Sequence, residues 1–386
     1  MGGVFETLGL IRHFILNAWS HSTNDTRLPH PLVIRGVEIR NRIAISPMCQ
    51  YSSDNGYAGD WHLVHLGSRA AGGAGLVFTA ATSVSPEGRI SPADLGIWDD
   101  GHIEFLQRIT RHIHEMGAVA GIQLAHAGRN ASCRPPQSGG ARLRSGEEGG
   151  WIPVAPSAIP FNEDDPLPEA MDDSGIRRVI GDFRNAAQRA MTAGFNVIEI
   201  HSAHGYLLHE FLSPLSNRRT DAYGDSFENR TRLLGEVAAE IRNVIPERMP
   251  LFVRISATDW VDGGWDLEQS IRLGRSLKNT GVDLVDCPSG AILPNVVIPA
   301  KPGFQVPFAK AIRSRAKLMT GAVGGITKPE QAEAIIASGK ADLVLLATEM
   351  LNEPYWAHRA YQALGQEPPC PRQYGFAIRR RKRGWV

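Results

Sequence analysis

The chain has 386 residues, of which 42% are hydrophobic and 21% charged, and 41 basic against 40 acidic side chains leave a net charge of +1. This composition excludes a disordered, collagen-like or disulfide-dense protein, and the balanced charge provides no overall field toward nucleic acid or a membrane, so neither is expected as a partner. The four cysteines form no C-x-x-C or Cys/His cluster, which predicts a reduced, cytoplasmic protein with no zinc or iron–sulfur site.

Residues 1–27 are interpreted as an amphipathic extension ahead of the main domain. Apolar side chains recur there at helical spacing, at Val4, Phe5, Leu8, Ile11, Phe14, Ile15 and Trp19. The stretch is too short and too interrupted to span a bilayer, and it lacks the basic start and cleavage site of a secretory signal. A transit peptide would contain more arginine and no Glu6. We therefore expect the extension to pack at an interface.

From Arg42 onward, short β-branched runs alternate with stretches of helical period, which is typical of parallel βα units. Strands are predicted at 42–46, 76–80, 119–124, 197–201, 251–256, 283–287, 317–321 and 342–347, and helices at 102–116, 176–193, 227–244, 267–278, 329–337 and 355–364. Eight βα units predict an α/β fold, a single-domain (β/α)8 TIM barrel over residues 28–370, with a tail at 371–386. A doubly wound sheet is the alternative, but no G-x-G-x-x-G follows the first strand.

Two long segments, 131–173 and 288–307, interrupt this alternation. Each follows a predicted strand, so each is expected at the end of the barrel that carries the active site in this fold. Long loops at that end are more often functional than not. The basic run at 379–383, by contrast, is interpreted as a solvated tail.

Polar residues are concentrated directly after the first, third and fourth predicted strands, in the stretches 47–51, 123–129 and 201–206. In the last of these, His201, His204 and Tyr206 can direct two ring N–H donors and one phenol at the same small volume. Such a group suits polarising a carbonyl oxygen and delivering a proton. Metal ligation by the histidines is the alternative, although no carboxylate or thiolate nearby in sequence completes a ligand set.

Alternation within the fourth and fifth strands directs Glu199 and Arg254 into the barrel, because Ile198, Ile200, Val253 and Ile255 then face the helices. Opposite charges on adjacent inward positions would compensate each other, since an unpaired buried charge is costly. The two residues are therefore a structural ion pair, or Arg254 also reaches an anionic or electron-rich cofactor edge.

The glycine-rich stretch 321–327 follows the seventh predicted strand. Strands seven and eight frequently provide a phosphate site in this barrel, and glycines let backbone N–H groups approach an anion. The glycine run alone is a weak signal, and its position after strand seven makes it a candidate phosphate site.

Several motifs occur in order along the chain, at 41–43, 46–51, 86–90, 123–129, 201–214, 217–221 and 228–230. From Leu28 to Leu364 the sequence resembles the old yellow enzyme family of FMN-dependent ene-reductases, in particular its short, thermophilic-like bacterial branch. The resemblance implies a barrel that binds FMN non-covalently and accepts hydride from NADPH or NADH. It also implies reduction of the activated C=C bond of an α,β-unsaturated carbonyl compound by a ping-pong mechanism.

The resemblance implies roles for individual residues as well. His201 and His204 are similar to the pair that binds the substrate carbonyl oxygen, and Tyr206 to the proton donor. Tyr51 resembles a second phenol over the substrate. Residues at positions that resemble those contacting the flavin and its phosphate are Ser46, Pro47, Met48, Cys49, Ala81, Gln123, Arg254, Gly324, Gly325 and Thr348. Arg383 and Trp385 resemble tail residues that reach the substrate site of a neighbouring subunit, which implies a homodimer or a dimer-based tetramer.

The sequence departs from the family at several places. Thr348 stands where the family has the arginine that clamps the FMN phosphate. Asp225 stands where it has a glycine, and Pro288 interrupts the usual Cys-Ser-Ser-Gly turn. Residues 1–27 and 379–382 have no counterpart. Because a guanidinium–phosphate contact contributes on the order of 1.5–3 kcal/mol, weak FMN binding is predicted.

Two alternative functions follow from these departures. The loss of the arginine at Thr348 would suit a flavin-poor barrel that isomerises a carbonyl substrate without redox chemistry. The basic run at 379–383 would suit a barrel that binds RNA or a membrane, although the balanced net charge argues against this.

Overall fold

The computed structural model describes residues 26–377. Its strands are β1 (Leu32–Ile34), β2 (Val37–Ile39), β3 (Ile43–Ile45), β4 (Leu76–Ser83), β5 (Val119–Ala125), β6 (Val154–Ala155), β7 (Glu169–Ala170), β8 (Val197–Ser202), β9 (Leu251–Ile255), β10 (Leu284–Asp286), β11 (Met319–Ala322) and β12 (Leu343–Leu346). Eight of them close a parallel barrel in the order β3-β4-β5-β8-β9-β10-β11-β12. The eight predicted strands and the (β/α)8 barrel are thus confirmed.

Helices cover the outside of the barrel: α1 (Asp60–Ala71), α2 (Ile103–Glu115), α3 (Asp173–Thr192), α4 (Leu207–Leu212), α5 (Phe227–Val244), α6 (Leu267–Asn279), α7 (Val306–Ala316), α8 (Pro329–Ala337), α9 (Thr348–Asn352) and α10 (Trp356–Ala363). The six predicted helices are present. Helix α7 starts inside the segment 288–307, which the sequence predicted as a loop. Pro307 lies in its first turn, where the N–H that proline lacks has no helical partner to lose.

The bottom of the barrel is closed by the antiparallel hairpin of β1 and β2. Its residues Leu32, Ile34 and Ile39 pack with inward side chains of the strands, among them Phe78 and Phe252. This layer is apolar and excludes water from the lower barrel. Polar inward side chains are therefore left to the upper half, at the carboxyl ends of the strands.

The predicted strand faces are confirmed. Ile198, Ile200, Val253 and Ile255 belong to the outer core shared with the helices, whereas Val197 and Phe252 lie inside the barrel. Glu199 is fully buried and Arg254 is 5% exposed, as their inward positions require. Successive side chains of a strand point to opposite faces, so these directions follow from the strand's own sequence and do not depend on which strand lies next to it.

The chain ends fall largely outside the described residues. Of the predicted amphipathic extension only Thr26 and Arg27 are described, and the tail residues Arg383 and Trp385 lie beyond Ala377. Among the described helices, none is long and apolar enough to cross a membrane.

Asp225, which stands where the family has a glycine, has a φ of 67°. This is the left-handed region, which glycine occupies most easily and which aspartate tolerates better than most residues.

Candidate active site

The residues after β8 form a compact aromatic group at the mouth of the barrel. The ring centroids of His201 and His204 are 5.3 Å apart at an interplanar angle of 86°, and those of His201 and Tyr206 are 5.0 Å apart at 80°. The structure therefore brings together the three side chains singled out by the sequence pattern.

Both histidines are neutral donors in this setting. The Nδ1 atom of His201 accepts a hydrogen bond from the backbone N–H of Ala203 at 3.3 Å, which leaves Nε2 to carry the proton. Burial lowers the pKa of His201 and of His204 well below the usual value, and the nearby cation Arg254 acts in the same direction. Burial raises the pKa of Tyr206 well above its usual value, so its phenol keeps the proton near neutral pH.

The turn that carries these groups has an unusual backbone. His204 has a φ of 59° and Gly205 a φ of 74°. A Cβ at Gly205 would lie 2.2 Å from the carbonyl oxygen of Ala291, so only glycine fits there. The backbone N–H of His204 donates to the Ser256 hydroxyl at 2.9 Å, which ties the turn to the end of β9.

A buried histidine–aspartate pair supports the same turn, and sequence reasoning missed it. The Nδ1 atom of His209 accepts from the backbone N–H of Gly205 at 2.9 Å, and its Nε2 lies 2.9 Å from Oδ1 of Asp259. Asp259 also accepts from Ser213 at 2.6 Å. The sequence signal for this pair is weak. His209 lies shortly after the stretch 201–206, but its partner Asp259 is 50 residues further along the chain, so no local pattern connects the two.

A polar layer lies inside the barrel below the mouth. The Nε2 atom of Gln123 on β5 donates to Oε1 of Glu199 on β8 at 2.8 Å. Since this bond holds the amide nitrogen toward Glu199, the carbonyl oxygen of Gln123 is left as an acceptor for another group.

The ion-pair partner predicted for Arg254 is wrong. Its Nε atom lies 2.9 Å from Oδ2 of Asp286 on β10, and both side chains are buried. The strand register explains the difference, because Arg254 is aligned with Asp286, whereas Glu199 is aligned with Phe252. Sequence reasoning gave no role to Asp286, which is the inward residue at the end of β10.

Burial raises the pKa of Glu199 to about 8, and the neighbouring Asp286 carboxylate contributes. The folded protein therefore binds a proton that the unfolded chain releases near pH 4.5. The contribution of protonated Glu199 to the free energy of unfolding is therefore complete below about pH 4.5 and is lost as the pH rises toward 8.

We expect Glu199→Gln to be more stable than wild type at pH 8, by on the order of a few kcal/mol, and similar to it at pH 5. Urea unfolding across that pH range measures the difference. Glu104→Gln, on the exposed face of α2, is the matched control and should follow the wild type. If the free energies of unfolding of Glu199→Gln and wild type differ by the same amount at every pH, the raised pKa of Glu199 is wrong.

Residues after β3 and on β4 complete one side of the mouth. The backbone N–H of Ser46 donates to the carbonyl of Leu346 at 3.0 Å, which joins the end of β3 to that of β12. Tyr51 has a φ of 48°. Burial raises the pKa of the Cys49 thiol, which is therefore uncharged. Ala81 lies on β4 beside Gln123, next to a break in the strand register.

The glycine turn after β11 has the predicted conformational freedom. Gly324 and Gly325 have φ values of 92° and 63°. A Cβ at Gly325 would lie 2.8 Å from the carbonyl oxygen of Lys301, so the segment 288–307 packs on this turn. Thr348 is exposed and is the first residue of α9, after the neighbouring strand β12.

Within residues 26–377, no three His, Cys, Asp or Glu side chains are grouped in a way that could hold a metal ion.

A sequence profile of the NADH:flavin oxidoreductase / NADH oxidase family matches residues 27–367. The chain belongs to this family. It is 49% identical over 347 residues to the NADPH dehydrogenase of Halalkalibacterium halodurans, covering 89% of this chain and 97% of that protein. Identity to the NADPH dehydrogenase of Bacillus subtilis is 45% over 357 residues, with 92% and 98% covered.

Solved structures of the old yellow enzyme family agree with this assignment. Morphinone reductase superposes with a TM-score of 0.74 at 26% identity, over 91% of this chain and 92% of that one. Morphinone reductase in complex with tetrahydroNAD gives a TM-score of 0.72 at 26% identity, over 89% and 93%. The resemblance seen in the motifs is confirmed, and this old yellow enzyme is an NAD(P)H:flavin oxidoreductase with FMN as its cofactor.

Proposed function

We propose that the enzyme reduces the activated C=C bond of α,β-unsaturated carbonyl compounds with hydride from NADPH or NADH, at the mouth of the barrel. The observation that carries this proposal is the convergence of two neutral histidine rings and one protonated phenol after β8. Neutral N–H donors suit a carbonyl oxygen that gains negative charge during the reaction. Membership of a redox family favours this function over the isomerisation and the RNA- or membrane-binding alternatives.

The polar groups around the mouth fit an FMN ring. The buried Ser46 hydroxyl has no hydrogen-bond partner among the described residues. The Arg254 Nε and the Asp286 carboxylate form a close ion pair, but they are not aligned for a hydrogen bond with each other, and neither has another hydrogen-bond partner among those residues. Buried polar atoms are rarely left in this state, so they indicate a bound polar group. Gln123 offers a carbonyl acceptor and Arg254 a cation to the pyrimidine end of the ring. Pro47, Met48, Cys49 and Ala81 would line the rest.

The protein's own contribution to the reaction is orientation and proton transfer. FMN, when bound, supplies hydride exchange between the nicotinamide and the substrate β-carbon. His201 and His204 bind the carbonyl oxygen through their ring N–H groups and stabilise the enolate. Tyr206 holds its proton at Oη until it passes to the α-carbon. Tyr51 lies over the substrate and restricts its position.

An anaerobic experiment tests the function directly. The purified enzyme should show flavin absorption, NADPH should bleach it, and 2-cyclohexenone should restore it with formation of cyclohexanone. Cyclohexanone itself, which has no C=C bond, is the control compound and should leave the flavin reduced. If the reduced flavin is reoxidised by oxygen and by no enone, the proposed substrate class is wrong.

We also propose that the enzyme acts in the cytoplasm as a dimer-based assembly. Its four cysteines are all unpaired, which suits a reducing compartment. The assembly proposal rests on Arg383 and Trp385 of the tail, since a terminal tryptophan left in water loses the burial energy of its ring.

Deleting residues 383–386 is expected to raise the dissociation constant of an enone or phenol by about tenfold or more. Arginine and tryptophan anchors typically contribute that much or more to a binding interface. Thermal unfolding should be unchanged, because the barrel core is not touched. Arg380→Ala is the matched control within the tail. Kinetics identical to wild type would show that the last residues are solvated.

A further inference from the structure

A small cavity lies behind Tyr206, on the side of β4 and β5. It is lined by Ala81, Ser83, Gly88, Ile90, Asp94, Ala125, Ala127 and Tyr206. The space open to the centre of a water molecule is about 10 Å³. Since about 10–15 Å³ is needed for one water, the cavity has the size of a single water molecule.

Asp94 is the acidic residue of this cavity and is only 4% exposed. Its Oδ2 accepts from the backbone N–H of Ile90 at 2.6 Å, which fixes the carboxyl group. Its Oδ1 has no hydrogen-bond partner among the described residues. A buried carboxyl oxygen without a donor is rare, and a water in the cavity would satisfy it.

The other polar side chains in the cavity wall are Ser83 and Tyr206. The Ser83 hydroxyl already donates to the carbonyl of Ser85 at 2.7 Å, so its proton is committed. Tyr206 is therefore the other side chain of the cavity wall, besides Asp94, that has a polar group left to bind a water.

We propose that one water in this cavity connects Asp94 to Tyr206 and that the Asp94 carboxyl group returns the proton that Tyr206 loses in each turnover. This inference rests on the proposed function, in which the Tyr206 O–H bond breaks as the proton joins the substrate α-carbon. The tyrosinate oxygen then takes a proton from the water, and the water takes one from protonated Asp94. The Asp94 carboxylate is finally reprotonated from solvent.

The charge environment of Asp94 suits this role. Burial raises its pKa to about 7, against the opposing effects of the backbone N–H groups of Ile90 and Ser91 and, to a lesser extent, of the Arg89 cation. The other titratable groups that interact with it are Cys49, Tyr51, Cys133 and Tyr206, for all of which burial raises the pKa. Among these neighbours only Arg89 is charged at neutral pH. Protonated Asp94 is therefore available below about pH 7 and is lost as the pH rises above it.

The test separates a single turnover from repeated turnover. In Asp94→Asn the amide can hold the water, but it cannot release a proton at neutral pH. Flavin reduction by NADPH and the first reoxidation by 2-cyclohexenone should keep wild-type rates, because Tyr206 starts protonated. Steady-state turnover should fall by about tenfold or more and gain a larger solvent deuterium isotope effect. Asp100→Asn, at an exposed position, is the matched control.

The wild-type enzyme provides a second measurement that requires no variant. Its steady-state rate with the enone should fall as the pH rises above about 7, whereas its single-turnover rate should not. If steady-state turnover of Asp94→Asn and the wild-type pH profile are both unaffected, the relay is wrong. If the enone fails to reoxidise the wild-type flavin at all, the proposed function itself fails, which is a different result.

Discussion

Tyr206→Phe is expected to slow reoxidation of the reduced flavin by 2-cyclohexenone by about 10²–10⁴-fold, the usual contribution of a positioned proton donor. Reduction of the flavin by NADPH should stay close to the wild-type rate, since no proton from Tyr206 is needed in that half-reaction. Anaerobic stopped-flow absorbance measures the two half-reactions separately. The raised pKa of the half-buried phenol keeps it protonated over the working pH range, so the effect should persist from pH 6 to 8.

The histidine next to it provides the contrast for this experiment. His201→Ala removes the proposed N–H donor to the carbonyl oxygen and should raise the dissociation constants of enones and phenols by roughly tenfold, as expected for one lost hydrogen bond. The two variants therefore separate proton delivery from binding. An oxidative half-reaction of wild-type speed in Tyr206→Phe would mean that solvent or another side chain delivers the proton.

Thr348→Arg is expected to tighten FMN binding by about one to two decades. In the predicted site the phosphate would rely on backbone N–H groups around Gly324, Gly325 and Thr348, and neutral contacts are roughly half as strong as charge-assisted ones. Thr348 is exposed at the start of α9, so a longer side chain has room there. Fluorescence titration of FMN into the apoenzyme measures the dissociation constant. Thr348→Gln, a long neutral side chain, is the control and should tighten binding little.

The structure also identifies a cation that would change this result. Lys301 is exposed, and its backbone packs on Gly325 of the glycine turn. If Lys301 already neutralises the phosphate, wild-type FMN will survive extensive dialysis, Thr348→Arg will add little, and Lys301→Ala will weaken binding. Lys310→Ala, at an exposed position of α7, controls for the loss of one positive charge. If neither Thr348→Arg nor Lys301→Ala changes the dissociation constant of FMN, then binding of the phosphate by backbone N–H groups alone and its neutralisation by Lys301 are both wrong.

Local sequence pattern by itself determined the barrel, its strand faces and the candidate residues at the strand ends. Strand alternation is a property of each segment alone, so it placed Glu199 and Arg254 inside the barrel without knowledge of neighbouring strands. Because parallel strands in a barrel all end at the same side, the residues after β8 and β3 could be assigned to one mouth before any contact was known.

Only the tertiary structure decided which of these groups contact each other. Arg254 pairs with Asp286 because the register of β9 and β10 aligns them, and a pattern read within one strand contains no register. His209 supports the turn at Gly205 through Asp259, which is 50 residues away from it along the chain. Asp94 shares a cavity with Tyr206 because the loop after β4 packs on the end of β4 and on the residues that follow β5, beside Tyr206. Contacts between distant segments depend on how loops and helices pack in three dimensions, and that packing leaves no periodic signal in the sequence.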